Sequence, residues 1–242
     1  MQVAYAIMFF ILVGVSETLR HGVFGLNPAD TTTIIYGALA ICALLLLKSD
    51  LITTIHRPVE PLYGSDRLNW SWRRSMLGVF LMPLLWIVPV AYGFALVQLD
   101  IHPIASTTVL ETLLTQVLLV AVAEGLFFRE AVVKVFGREI LPVYLISTLA
   151  LFIFYLPSGL PMAMIATGSG IYYLTLRLIG TNIWVVAALH GVTLILFGKV
   201  LSLGLSQEQF WPYSIYFMIA SAALSLLVFM LFAPSPREAR YA

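Results

Sequence analysis

The chain has 242 residues, of which 61% are apolar and only 10% charged, and its formal charge is +1. A soluble domain of this length needs more polar surface, so a bilayer is its expected solvent. Near-neutral charge without a basic stretch interleaved with aromatics argues against nucleic acid as a partner. The one cysteine, Cys42, lies in an apolar run; it excludes an internal disulfide framework and a Cys-rich metal site and reads as packing.

Hydrocarbon cannot satisfy backbone N–H and C=O groups, and the long unalternating apolar runs here exclude barrel strands, which leaves helices. In chain order the runs are Met1 to Val15, Thr31 to Leu47, Met76 to Gln98, Thr107 to Phe128, Ile140 to Pro157, Pro161 to Leu176, Ile183 to Phe197 and Ser214 to Ala233. The first lacks a basic flank and a small-residue cleavage pattern, so it is read as a membrane helix and not as a removable signal. The expected fold is all-α, a polytopic bundle of about eight transmembrane helices. No linker, repeat or low-complexity tract divides it, so residues 1–242 form one transmembrane domain. Pro83 and Pro89 predict a bend in the third run.

With the N-terminus cytoplasmic, Lys48, Arg57, Arg67, Arg73, Arg74, Arg129, Lys134, Arg138, Arg177, Arg237 and Arg240 fall inside, against Arg20 and Lys199 outside. That asymmetry predicts a multi-pass protein of the plasma or inner membrane with both termini cytoplasmic. Trp70, Trp72, Trp184 and Trp211 lie near predicted boundaries, as belt residues do. The polar excursion Lys48 to Ser75 is read as lying along the cytoplasmic interface.

Ionisable groups inside hydrocarbon cost several kcal/mol, so each asks for a reason. Glu124 shares its helical stripe with Val120, Ala121, Phe127 and Phe128, so its partner must come from another helix. Arg129 lies about 140° round an α-helix from it, read as near the inner interface and snorkelling or setting orientation. His190 stands alone in Val186 to Leu194. If Arg129 and Ile183 mark the inner boundary, Glu124 and His190 both lie about 7 to 11 Å inside it, where they can meet. A buried carboxylate can take a proton from water while an imidazole orients that water or stabilises an oxyanion, a hydrolysis without metal.

The string Glu124-Gly125-Leu126-Phe127-Phe128-Arg129 resembles E-E-x-x-x-R, the first motif of the CPBP family of glutamic intramembrane proteases. That family includes CAAX prenyl endopeptidases and bacteriocin-processing or immunity proteins. The first Glu and the Arg match, and Gly125 replaces the second Glu. Leu151-Phe152-Ile153-Phe154-Tyr155 stands for F-x-x-x-H, with Leu151 for Phe and Tyr155 for His. Gly180-Thr181-Asn182-Ile183-Trp184 leads to His190 of H-x-x-x-N, with Leu194 for Asn. The resemblance spans about Thr107 to Phe197. It implies Glu124 as general base, Arg129 as a structural or substrate-orienting residue and His190 in the water or oxyanion site. Tyr155 can donate from its phenol but, titrating near about 10 when unperturbed, is a poor base. Thr193 offers a hydroxyl near the missing Asn, although a membrane-helix Thr more often bonds its own backbone.

Three rival readings stand beside this one. Thr167-Gly168-Ser169-Gly170 is similar to the nucleophile motif of rhomboid serine proteases, but small residues there more commonly mean close helix packing. A CPBP-like scaffold or immunity protein without activity is the alternative that Gly125, Tyr155 and Leu194 favour. A transporter predicts inverted halves, which the sequence lacks. His21, His56, His102 and His190 are scattered without H-E-x-x-H, so no metal or cofactor is expected. Glu111 and the cluster Glu17, Arg20 and His21 are read as helix-end groups without chemistry. The expected activity is cleavage of a peptide bond in a membrane-associated protein, at a site opening toward the cytoplasmic half.

Overall fold

Each of the eight apolar runs contains helix in the computed structural model, which describes residues 1–21, 25, 28–47, 72–96, 100–101, 110–111, 113–136 and 140–232. Apolar side chains offer the backbone no competing hydrogen bonds, so it bonds to itself. Helix α1 is Gln2–Arg20, α2 Pro28–Leu47, α3 Trp72–Leu81 and α4 Pro83–Leu96. Helix α5 covers 114–136 and is composite: π-helical over Leu114–Ala121, α-helical over Val122–Glu124, π-helical over Gly125–Ala131 and α-helical over Val132–Phe136. Then come α6 (Ile140–Tyr155), α7 (Leu160–Leu178), α8 (Ile183–Ile195) and α9 (Gln207–Phe232).

The bend expected in the third run is a break between α3 and α4. Pro83 has no N–H for the Val79 carbonyl and its ring crowds that oxygen, so one helix ends at Leu81 and the next begins at Pro83. Pro89 is carried inside α4. One departure from a purely helical fold is a short antiparallel ladder, β1 (Asp100–Ile101) with β2 (Leu201–Ser202), pairing Asp100 with Ser202 and Ile101 with Leu201.

Among the described residues four stretches are long and apolar enough to cross a membrane: Gln2–Arg20, Asp30–Leu47, Ile140–Ser158 and Gln207–Phe232. Met76–Tyr92 and Ile183–Ile195 are apolar but shorter. The outer faces are apolar too: Leu141, Leu145 and Leu149 form an exposed i, i+4, i+8 stripe on α6, and Leu226, Met230 and Leu231 stand out from α9. Such a surface is costly in water and at home in lipid, which fits an integral membrane protein. Trp184 and Trp211 are partly exposed, as expected of boundary residues. Residues 48–71 of the expected interfacial segment, and with them Trp70 and His56, lie outside the described residues, as does His102.

Helix α7 is the centre of the bundle, packing mainly on α9 and α6 and also on α8. Residues 172–181 are all buried, and so are residues 123–132 of α5. Small residues let the helices approach. A Cβ at Gly168 would lie 3.0 Å from Met218 Cα of α9, and one at Gly170 would lie 2.3 Å from Leu151 Cδ1 of α6. The Gly168-Ser169-Gly170 string is thus a packing surface on both sides. Two apolar clusters result, one among α1, α2, α5 and α6 around Phe127, Phe128 and Phe154, the other among α4, α7, α8 and α9 around Leu85, Tyr172 and Phe217.

The closest approach between α8 and α5 is at Gly191, where a Cβ would lie 2.3 Å from Val117 Cγ2 and 2.9 Å from Val117 Cα. Gly191→Ala is expected to lower the unfolding free energy by about 1–3 kcal/mol, whereas Gly37→Ala, with nothing within 4 Å of its Cβ, leaves it unchanged or raises it. Denaturant unfolding in detergent micelles measures both.

Candidate active site

Glu124 ends the short α-helical turn of α5, and its buried carboxylate needs a donor from outside that helix. Tyr155, the last residue of α6, supplies it: the phenol donates to Oε1 of Glu124. The Tyr36 phenol of α2 lies 2.7 Å from the Tyr155 phenol oxygen. On the other side, Oε2 of Glu124 is 3.8 Å from Nδ1 of His190 on α8. That is too long for a direct hydrogen bond and well within the span of one bridging water. The Gly191 approach to Val117 sets this distance by holding α8 against α5.

The His190 ring lies on Tyr173 of α7, with centroids 4.6 Å apart. The Tyr173 phenol donates to Thr193 Oγ1 at 2.8 Å, and Trp86 Nε1 donates to the same oxygen at 3.0 Å. Thr193 itself donates to the Leu189 carbonyl of its own helix at 2.9 Å, the backbone bond expected of a membrane-helix threonine. Its hydroxyl fixes Tyr173 and Trp86 and leaves His190 alone.

Arg129 differs from expectation in three respects. It is 2% exposed and so does not snorkel; its Cζ sits 5.4 Å from the centre of the Tyr173 ring. The α-helical angle of about 140° between it and Glu124 does not apply, because Gly125–Ala131 is π-helical. Hydrogen bonds from i to i+5 widen the turn, so the angle between residues five apart is smaller than in an α-helix. Third, Arg129 does not stand at the end of its helix: α5 continues to Phe136, and Lys134 there donates to the Leu47 carbonyl at the end of α2. Ile183, the other assumed boundary marker, is buried as well.

Two groups in the site keep unused hydrogen-bonding capacity: Nε and Nη1 of Arg129 and Nδ1 of His190 have no hydrogen-bond partner among the described residues. A Cβ at Gly125 would lie 3.5 Å from Nη1 of Arg129, in ordinary contact. The position where the resemblance calls for a second glutamate is thus the one beside the uncovered guanidinium. His190 and Tyr173 also line a cavity of about 860 Å³ between α4, α7, α8 and α9, walled mainly by apolar and aromatic residues such as Trp86, Phe210 and Tyr213. Ser169 lines it too, but its hydroxyl donates to the Ala166 carbonyl at 3.0 Å.

The four expected site residues, Glu124, Tyr155, His190 and Arg129, converge from α5, α6 and α8. Two further groups, Tyr36 and Arg20, were not anticipated in the site, and Arg177, a candidate at a helix end, has a partner that the sequence did not indicate. Tyr36 joins Tyr155, and the signal for it was a phenol inside an apolar run, which needs a partner. Arg20, read as a helix-end charge, stacks over the rings of Phe154 and Tyr155 at 5.5 and 5.7 Å and donates to Ser158 Oγ. Arg177 of α7 forms a buried bidentate pair with Glu130, through Nε to Oε1 and Nη2 to Oε2. The rest of the outer cluster is as expected: His21 and Glu17 pair at 3.0 Å on the surface, and Glu111 is exposed. Among the described residues no three His, Cys, Asp or Glu side chains gather as metal ligands.

Comparison of the chain with protein-family models, with curated proteins and with solved structures gives no match. Removing one partner of the Glu130–Arg177 pair strands a buried charge. Glu130→Gln is therefore expected to lower the unfolding free energy by about 3–5 kcal/mol, and Glu130→Gln with Arg177→Met by less, since the double variant leaves no charge behind. Urea unfolding in detergent distinguishes the two.

Proposed function

We propose that the chain is a glutamic-type intramembrane endopeptidase of the CPBP kind, hydrolysing a peptide bond in a membrane-associated protein. The observation that carries this reading is the approach of Glu124 Oε2 to His190 Nδ1, 3.8 Å apart from separate helices, with His190 lining a cavity large enough for several residues of substrate. An acid and an imidazole at that spacing can share one water.

In the proposed reaction Oε2 of Glu124 takes a proton from that water as its oxygen attacks the scissile carbonyl carbon. The resulting tetrahedral oxyanion is met by N–H donors of His190 and Arg129. Glu124 then returns the proton to the amide nitrogen, the C–N bond breaks, and a carboxylate and an amine leave. Tyr155 holds Oε1 and keeps the other oxygen free for the water. Tyr155 thus takes over an orienting task from the histidine that the motif has at its place, and base chemistry stays with Glu124. The apolar walls of the cavity suit an uncharged stretch of substrate.

Eight crossings with both termini cytoplasmic complete the proposal, on the strength of the charge asymmetry and the eight helical runs. Reporter fusions to either terminus should both report a cytoplasmic location; one on each side would require an odd number of crossings.

In proteoliposomes with candidate membrane substrates, Glu124→Gln and His190→Ala should each lower cleavage by about 10²-fold or more. Ser169→Ala should leave it unchanged. Undiminished cleavage by Glu124→Gln at equal protein level rejects the glutamic mechanism, and loss in Ser169→Ala alone points to a serine nucleophile.

A further inference from the structure

We propose that Tyr36 is a positioning residue of the Glu124 site: acting through Tyr155, it pins Oε1 so that Oε2 stays turned toward His190. The positioning follows from geometry, while its catalytic consequence rests on the proposed protease reading.

A phenol has one proton to donate and an oxygen that accepts. Tyr155 gives its proton to Glu124 Oε1, so in the 2.7 Å contact between the phenols it is Tyr36 that donates. The hydrogen bonds therefore run in one direction, from Tyr36 through Tyr155 to the carboxylate. A bond donated to the Tyr155 oxygen polarises its O–H and strengthens the next bond in the chain. Three helices, α2, α6 and α5, are tied at one point by this chain.

The rings are held independently of their hydroxyls. Tyr36 meets Phe154 edge-on with centroids 6.2 Å apart, and Tyr155 meets Phe154 at 5.5 Å. Arg20 covers the outer side of Phe154 and Tyr155. Deleting the Tyr36 hydroxyl should thus leave the packing in place. What it frees is the carboxylate. The terminal torsion of a glutamate is broad and twofold, so an unpinned group samples orientations that carry Oε2 away from His190.

The test uses the full-length protein in lipid. Infrared difference spectra against Glu124→Gln isolate the Glu124 carboxyl band, which responds to its hydrogen bonds whether or not a substrate is known. The band is expected to shift in Tyr155→Phe and in Tyr36→Phe. It should stay fixed in Tyr144→Phe, a control on the same helix whose phenol contacts Thr175 Oγ1 at 2.6 Å. With a cleavable substrate, Tyr36→Phe should lower kcat about tenfold, the equivalent of one hydrogen bond, at unchanged KM. A Tyr36→Phe band identical to that of the unaltered protein overturns the proposal, whatever Tyr155→Phe does. A shifted band in a protein that cleaves no substrate upholds the positioning and counts against the protease reading alone.

Discussion

The buried pair between Glu130 of α5 and Arg177 of α7 is the contact from which the rest of the interior takes its register. Its two hydrogen bonds run in parallel, so neither helix can slide or rotate without breaking one of them. Both partners lie one step from the candidate site. Arg129 precedes Glu130 in the chain, and Tyr173 stands one α-helical turn before Arg177. Fixing the pair therefore lays the Arg129 guanidinium over Tyr173, and Tyr173 in turn carries His190 on its face. The separation of Glu124 from His190 is the last link of that series.

Charge balance explains why such groups are tolerated in so apolar a body. Glu124, Glu130, Arg129 and Arg177 are all buried, two of each sign, and they lie in segments of two helices, 123–132 and 172–181, that are buried on every side. A charge desolvated alone costs several kcal/mol, and opposite charges close by offset much of that. The offset is incomplete at Arg129, whose Nε and Nη1 have no hydrogen-bond partner among the described residues. Structural ion pairs are closed like Glu130–Arg177; an open one beside a carboxylate and an imidazole is the arrangement a reacting group can use.

The places where the chain departs from the CPBP motifs are informative in the same terms. Tyr155 occupies the position of a histidine and still delivers a hydrogen bond to Glu124, because donation needs only a proton aimed correctly and not a group that titrates. Gly125 leaves the guanidinium uncovered where a second carboxylate would reach it. Leu194 is replaced in function by nothing polar at its own position, and Thr193 beside it is committed to Tyr173, Trp86 and its own backbone. On the proposed reading the site is a reduced version of the motif set, in which one phenol chain and one arginine would carry what more residues share in the full pattern.

Composition and periodicity by themselves determined that the chain is helical and apolar, where its helices lie, that the prolines of the third run bend it, and that Glu124, Arg129 and His190 are residues to examine, whereas Tyr155 entered only through the resemblance to the CPBP motifs. Those are local properties, set by hydrogen bonding within a segment and by the cost of isolated charge in hydrocarbon. Only the tertiary structure decided that α5 widens into π-helix, that the helix runs on past Arg129 to Phe136, and that Tyr36 and Arg20 join the site from α2 and α1. These depend on which faces of distant helices meet, and a linear pattern records the polarity of each face without recording its neighbour.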